Sequence, residues 1–329
     1  MARKLVILMG MAILLSGCQA SPTFLNPSSP IAGPEANLYK TILFLALVVF
    51  VLVEGALILI LVRDRKKHGD DEMPTQIYGN NKLEIIWTAI PILLVIALFV
   101  MTVQTMNAVA APVPSDSDIN LKIVGHRWWW EFVYPDLGIV TANELQIPVG
   151  TPVQIELESV DVIHSFWVPQ LAGKTDVVPG QMNTMWITGD EVGVYLGQCA
   201  EFCGTQHALM RMKVFVDSQE DFDAWVANQQ KPVYEPQTEA ESAGYEVVTK
   251  ICATCHLIDP GVSDPEKVGP NLTHLFSRTT FAGGTYDLNE ENLRSWLTDT
   301  QAMKPGNDME ITLTPEEIDN VMAFLTHLQ

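Results

Sequence analysis

The chain has 329 residues, room for two or three domains, and is 48% apolar with a net charge of −20. The acids concentrate after residue 106, where 32 Asp+Glu stand against 11 Lys+Arg. That sign excludes nucleic acid, since phosphate recognition needs cations, and it suits attraction of a basic protein partner.

The first residues, "MARKLVILMGMAILLSGCQA", combine a basic start, a short apolar core and small residues before Cys18. That is the pattern of an export signal, over 1–17, rather than of a membrane span. "LSGC" resembles the lipobox of bacterial lipoproteins, which would make Cys18 a lipidated N-terminus; an ordinary signal peptide with an incidental cysteine is the alternative. Residues 18–40 then form an N-terminal extracytoplasmic segment.

Two apolar runs follow, "TILFLALVVFVLVEGALILILV" (41–62) and "IIWTAIPILLVIALFVMTVQT" (85–105), each about the ~20 residues a bilayer-crossing helix needs. They predict a transmembrane hairpin over 41–106. Glu54 is the sole charge inside either run; a carboxylate at that depth costs roughly 3 kcal/mol and is expected neutral or partnered. Arg63, Arg65, Lys66 and Lys67 follow the first run, so the connecting loop is expected in the cytoplasm. Both termini, and everything after about residue 106, are then extracytoplasmic.

After a polar connector (107–120), residues 121–216 alternate apolar and polar, as half-buried strands do. "PVQIEL" places Val153, Ile155 and Leu157 on one face, and "MRMKVFV" does so with Met210, Met212, Val214 and Val216. With Pro-Gly and Gly-Asp punctuation this predicts a small β-sandwich or barrel, closed by a short helix in "SQEDFDAWVANQQ", over 107–230. The Pro- and Glu-rich stretch 231–244 has no periodicity and reads as a linker. The last part, 245–329, is helical at both ends. Its closing helix has Thr314 as N-cap, Pro315 in the first turn and Glu317 completing a capping box. Ile318, Val321, Met322 and Leu325 form its apolar stripe.

"CATCH" (252–256) is the C-x-x-C-H signature of c-type haem attachment: Cys252 and Cys255 would bond the haem vinyl groups and His256 the iron. No second Cys pair completes a zinc site. A thioether suits the sixth position of an electron-transfer haem. Met303, Met309 and Met322 are available; Met322 belongs to the helix stripe, and Met309 follows a Pro-Gly turn in "KPGNDM", so Met309 is preferred over Met303.

"QCAEFCGTQHALM" (198–210) sets two thiols four apart, an imidazole four later and a thioether three beyond. A Cys199–Cys203 disulfide is one reading, but it leaves His207 and Met210 unexplained. Soft sulfur with imidazole is what copper prefers. Two cysteines could bridge two coppers, each capped by one histidine; His164, in "DVIHSFWVPQ", is the candidate for the second.

These motifs carry a specific resemblance. "HSFWVP" with "QCAEFCGTQHALM" is similar to the binuclear copper A domain of subunit II of haem–copper cytochrome c oxidases. "GHRWWWEF" (125–132) resembles that family's aromatic stretch, and "YGNNKLEIIWTAIP" the start of its second membrane helix. The last domain resembles bacterial class I cytochromes c, "VGPNL" (268–272) included, although Glu310 stands where a proline usually follows the ligand methionine. The whole chain thus looks like the cytochrome-c-fused (caa-type) form.

The resemblance implies a two-helix hairpin, a cupredoxin-like β-sandwich and an all-α cytochrome c domain. It implies His164, Cys199, Cys203, His207 and Met210 as copper ligands, with Glu201 ligating through its carbonyl and its carboxylate facing a magnesium site shared with subunit I. Trp128 matches the tryptophan that receives electrons, and Glu84 a carboxylate at the mouth of a proton pathway. The implied partners are subunit I, subunit III, a basic cytochrome donor and a bacterial cell membrane. The expected function is electron input to an oxidase that reduces oxygen and pumps protons on another subunit. Two alternatives keep parts of this reading: the same role with a nitric oxide reductase core, and a non-catalytic membrane-tethered copper protein, which would have no use for a covalent haem. A quinol oxidase subunit is disfavoured because that branch lacks these copper ligands.

Overall fold

A computed structural model describes residues 22–65, 73, 76, 78–110 and 119–329, so the signal region with Cys18, and Lys66 and Lys67, lie outside the described residues. The chain divides into two units, 33–112 in one and 1–32 with 113–329 in the other.

The first unit consists of helices α1 (Ala32–Arg63) and α2 (Asn81–Val109). None of their most apolar stretch is buried within the chain, so surface such as Leu43, Phe44, Ile92 and Phe99 needs lipid or other protein to cover it. At 32 residues α1 is about 48 Å long, beyond the ~30 Å hydrocarbon core. It starts well before the apolar run at residue 41 because Ser29 Oγ accepts from the backbone N–H of Ile31 and Ala32, forming a start signal upstream of the span. Asn80 caps α2 in the same way, accepting from Lys82 N and Leu83 N.

The second unit opens with a sandwich of two five-stranded sheets. Strands β1 (Ile119–His126), β2 (Trp129–Tyr134), β3 (Ile139–Ala142), β5 (Val153–Ser159) and β8 (Asn183–Ile187) form one sheet, in the order β3-β2-β1-β5-β8. Strands β4 (Glu144–Pro148), β6 (His164–Trp167), β7 (Thr175–Val177), β9 (Gly193–Cys199) and β10 (Arg211–Asp217) form the other, in the order β4-β10-β9-β6-β7. The expected alternation is observed: Val153, Ile155 and Leu157 are fully buried on β5, and Met212, Val214 and Val216 on β10. Between the sheets Phe166 receives Trp130 and Phe132 edge-on, with centroids 5.6 and 6.5 Å away. Helix α3 (Gln219–Gln229), capped by Ser218, closes one end by packing Trp225 against Tyr134.

The haem-motif domain begins at α4 (Glu239–Lys250), inside the stretch 231–244 that the sequence marks as linker. Thr238 and Glu241 form a full capping box there, a signal that outweighs Pro-Glu composition. After a β-ribbon, β11 (Thr280–Phe281) with β12 (Tyr286–Asp287), come α5 (Glu290–Thr298), the short α6 (Thr300–Met303) and α7 (Pro315–Leu325). The capping box of α7 is as expected, and Met322 is buried in its stripe. Helix α4 crosses α7 at Gly244, where a Cβ would lie 2.0 Å from the Asn320 carbonyl, so only glycine permits that approach.

The two domains of this unit share a hydrogen-bonded seam. Buried Glu144, at the start of β4, accepts from Thr279 N at 2.9 Å, Thr279 Oγ1 at 2.7 Å and Thr280 Oγ1 at 2.6 Å. Trp129 Nε1 donates to Val268 O at 3.0 Å, and Ser263 Oγ to Glu131 Oε2 at 2.9 Å. The turn from Ala282 to Gly284, all at positive φ, fits against the loop before β10, with Arg211 N donating to Gly283 O.

Candidate metal centre

Pairing of β6 with β9 sets Phe166 opposite Cys199. The start of β6, which carries His164, therefore lies beside the end of β9, which carries Cys199. The return strand β10 closes the loop 200–210 at its base, through Cys199 N donating to Met210 O at 2.9 Å. All five side chains of the copper motif are thereby gathered. Cys199 Sγ and Cys203 Sγ are 3.7 Å apart, far beyond the ~2.05 Å of a disulfide. His164 Nδ1 is 4.0 Å from Cys199 Sγ, and His207 Nδ1 is 3.7 Å from Cys203 Sγ. Met210 Sδ lies 3.9 Å from Cys203 Sγ, and the Glu201 carbonyl 3.3 Å from Cys199 Sγ. His164, Cys199 and Cys203 are buried, and their ligand atoms lie within 4.8 Å of one another.

The electrostatics suit cation binding. The Cys203 hydrogen bond holds the Cys199 thiol well below its ordinary range against the opposing effect of burial. The same neighbour, with burial, pushes Cys203 up. Two adjacent buried thiols thus retain one proton between them until a cation replaces it, which makes metal uptake proton-releasing. Burial disfavours charge on His164, but Asp161 and Cys199 together raise its pKa.

Asp161 escaped the sequence reading, although its place three residues before His164 in "DVIHSF" was a usable signal. Its Oδ1 lies 2.8 Å from His164 Nε2, turning Nδ1 toward the sulfurs, and it also accepts from Val162 N and Arg127 N. Asp161→Asn is expected to weaken copper retention about 10- to 100-fold, read by metal analysis after competition with a chelator.

A cavity of about 270 Å³ lies next to this loop. Cys252, Cys255, His256 and Met309 line it, with apolar walls from Trp129, Leu275, Phe281 and Trp296; Met303 is not among the lining residues. His256 Nδ1 is hydrogen-bonded to Pro270 O at 2.7 Å, leaving Nε2 as the free ring nitrogen. Burial is the main cause of a lowered His256 pKa, which keeps the ring neutral as iron ligation requires. A Cβ at Gly269 would lie 2.5 Å from His256 Cε1, so that glycine makes room for the ring. The donor set and cavity fit a covalent haem. Gly269→Ala should displace His256 and lower the yield of covalently attached haem severalfold, measured by haem stain per unit protein. Met309 Sδ accepts from Trp296 Nε1 at 3.3 Å.

Trp128 reaches both sites. Its Nε1 donates to Cys203 O at 3.0 Å, its ring lies against Gly204 at φ +118°, and it lines the haem-motif cavity. Glu84 lies exposed in the first turn of α2, in the other unit. The Glu201 carboxylate accepts from Phe202 N.

Comparison with known proteins agrees with this layout. Residues 18–104 match the transmembrane domain of cytochrome c oxidase subunit II, 138–217 its periplasmic domain, and 241–329 the cytochrome c family. Cytochrome c oxidase subunit 2 of Alkalihalophilus pseudofirmus is 37% identical over 342 residues, covering 100% of this chain and 97% of the relative. That of Bacillus sp. PS3 is 38% identical, covering 97% and 95%. Quinol oxidase subunit 2 of Bacillus cereus is 34% identical over 75% of the chain and 86% of the relative. On its two apolar helices, its sandwich with a thiol–imidazole cluster and its attached haem-motif domain, the chain belongs to the cytochrome c oxidase subunit II family, in the form fused to a cytochrome c domain.

Proposed function

We propose that this chain receives electrons from a cytochrome donor at a covalent haem c and delivers them, through a two-copper centre, to the oxygen-reducing and proton-pumping subunit. Family membership by itself makes the chain the electron-input component of a haem–copper terminal oxidase, associated with subunit I and the membrane. The two domain families imply copper and haem c. When bound, those groups would supply one-electron transfer with little rearrangement.

The observation that carries the reading is the 3.7 Å sulfur pair with one imidazole nitrogen facing each sulfur. Cys199 and Cys203 would bridge two ions, His164 and His207 would cap one each, and Met210 and the Glu201 carbonyl would complete the set. Cys252 and Cys255 would hold the haem, with His256 and Met309 at the iron; Met309 is favoured because it lines the cavity and Met303 does not. Trp128, bonded to the copper loop and lining that cavity, is the residue suited to connect them. The sandwich keeps the ligand loop from relaxing between oxidation states, which is what fast transfer requires.

The remaining assignments rest on the resemblance. The acidic extracytoplasmic part would attract a basic cytochrome. The metal domains and both termini would face outward from a bacterial cell membrane, with Cys18 lipidated and subunit III alongside subunit I. Glu84 would stand at the proton-path entrance, and the Glu201 side chain would reach a magnesium ion at the subunit I interface.

The test is metal counting and electron paramagnetic resonance on the full chain produced with copper and haem maturation. Two coppers per haem, with hyperfine structure from both nuclei, is the expected result. One copper with a blue-site spectrum, or a Cys199–Cys203 disulfide, overturns the reading.

A further inference from the structure

Lys304 is a buried lysine, 4% exposed, in a domain that could have placed an apolar side chain there. Its Nζ donates to Ala282 O at 2.9 Å and Leu209 O at 3.2 Å, both neutral carbonyls. Among the described residues no carboxylate pairs with it, although an unpaired buried ammonium is expensive. The space it fills is prepared: Gly283 has φ +73°, and a Cβ there would lie 2.8 Å from Lys304 Nζ and 2.9 Å from Leu209 O.

The place of this cation gives it a use. Leu209 lies between His207 and Met210 on the copper loop, while Lys304 itself lines the haem-motif cavity with Met309. The following turn adds a second tie, through Gln206 Nε2 donating to Pro305 O. One charge is therefore held against the ligand loop of one centre and the cavity wall of the other.

We propose that Lys304 is a positioning residue shared by both redox sites, whose buried positive charge favours the reduced state of each and so raises both potentials. The argument rests on the proposed function above. Adding an electron lowers the charge of either centre, and a nearby cation in a poorly screened site rewards that change. Burial is the main cause that lowers the Lys304 pKa, to about 8, which is still above neutral pH.

The test uses full-length protein loaded with copper and haem, with midpoint potentials of both centres from spectroelectrochemical titration. Lys304→Met removes the charge and both hydrogen bonds. Lys304→Gln removes the charge but can still donate, and Lys304→Arg keeps the charge. Both neutral variants should shift the oxidised-to-reduced ratio about tenfold toward oxidised at each centre, ~59 mV for a one-electron couple, with Arg within about twofold of the parent. Unchanged potentials in the neutral variants, or an Arg variant that falls as far as Met, overturn the proposal. So does failure of both neutral variants to load metal while Arg loads, since the lysine would then serve folding alone. If the parent itself lacks haem or the second copper, the functional reading has failed; if the parent is complete and the potentials stay put, only the role of Lys304 has.

Discussion

Cys203→Ser should reduce the copper content from two ions per chain to at most one and cut electron delivery to subunit I by at least about 100-fold. The reason is positional. Cys203 Sγ lies within 4 Å of Cys199 Sγ, His207 Nδ1 and Met210 Sδ, so three of the contacts that assemble the cluster pass through one atom. Serine fills nearly the same space, but its hydroxyl stays protonated and is a hard oxygen where copper prefers soft sulfur. Loss of an outer-shell partner alone costs 10- to 100-fold, and a bridging ligand should exceed that. The measurement is metal content with the resonance spectrum, alongside steady-state oxygen uptake in the assembled oxidase. The fold should survive, because the β6–β9 and β9–β10 pairings that hold the loop are backbone bonds, and the apo-protein should keep its circular dichroism. Retention of two coppers with coupling to both nuclei would refute the bridging role.

Glu144→Ala should detach the cytochrome c domain from the sandwich without emptying the copper site. Glu144 is 3% exposed and its carboxylate receives three donors from Thr279 and Thr280. Truncation leaves those donors facing a cavity; each buried unsatisfied group costs about 1–3 kcal/mol, and the effects are not additive, so a loss of ~3 kcal/mol is expected. Calorimetry should then show two separated transitions in place of one, with faster proteolysis in the stretch before α4. No copper-motif residue bonds to Glu144, so copper content should match the parent. Intramolecular electron transfer should slow, because Trp128 and Arg211 meet the haem-motif domain, and Lys304 meets the copper loop, across the same seam. A single transition at the parent temperature would show that the seam is held elsewhere.

Much of this was written in local order. "CATCH", "QCAEFCGTQHALM" and the two apolar runs announce their chemistry because haem attachment, soft-metal ligation and membrane burial depend on residue type at short spacing. Strands β5 and β10 and the capping box of α7 were legible because burial imposes a period of two or a cap on a few adjacent residues. The start of α4 inside the apparent linker was equally local, and composition concealed it.

What only the tertiary structure decided is everything that joins distant residues. That His164 faces Cys199 depends on the register of β6 with β9, and only the tertiary structure puts Met309, and not Met303, among the residues that line the cavity. Glu144 across the seam and Lys304, with no carboxylate partner among the described residues, carry no motif. Each is an ordinary polar residue whose meaning arises when burial removes water and leaves one particular partner, and no local pattern encodes that partner.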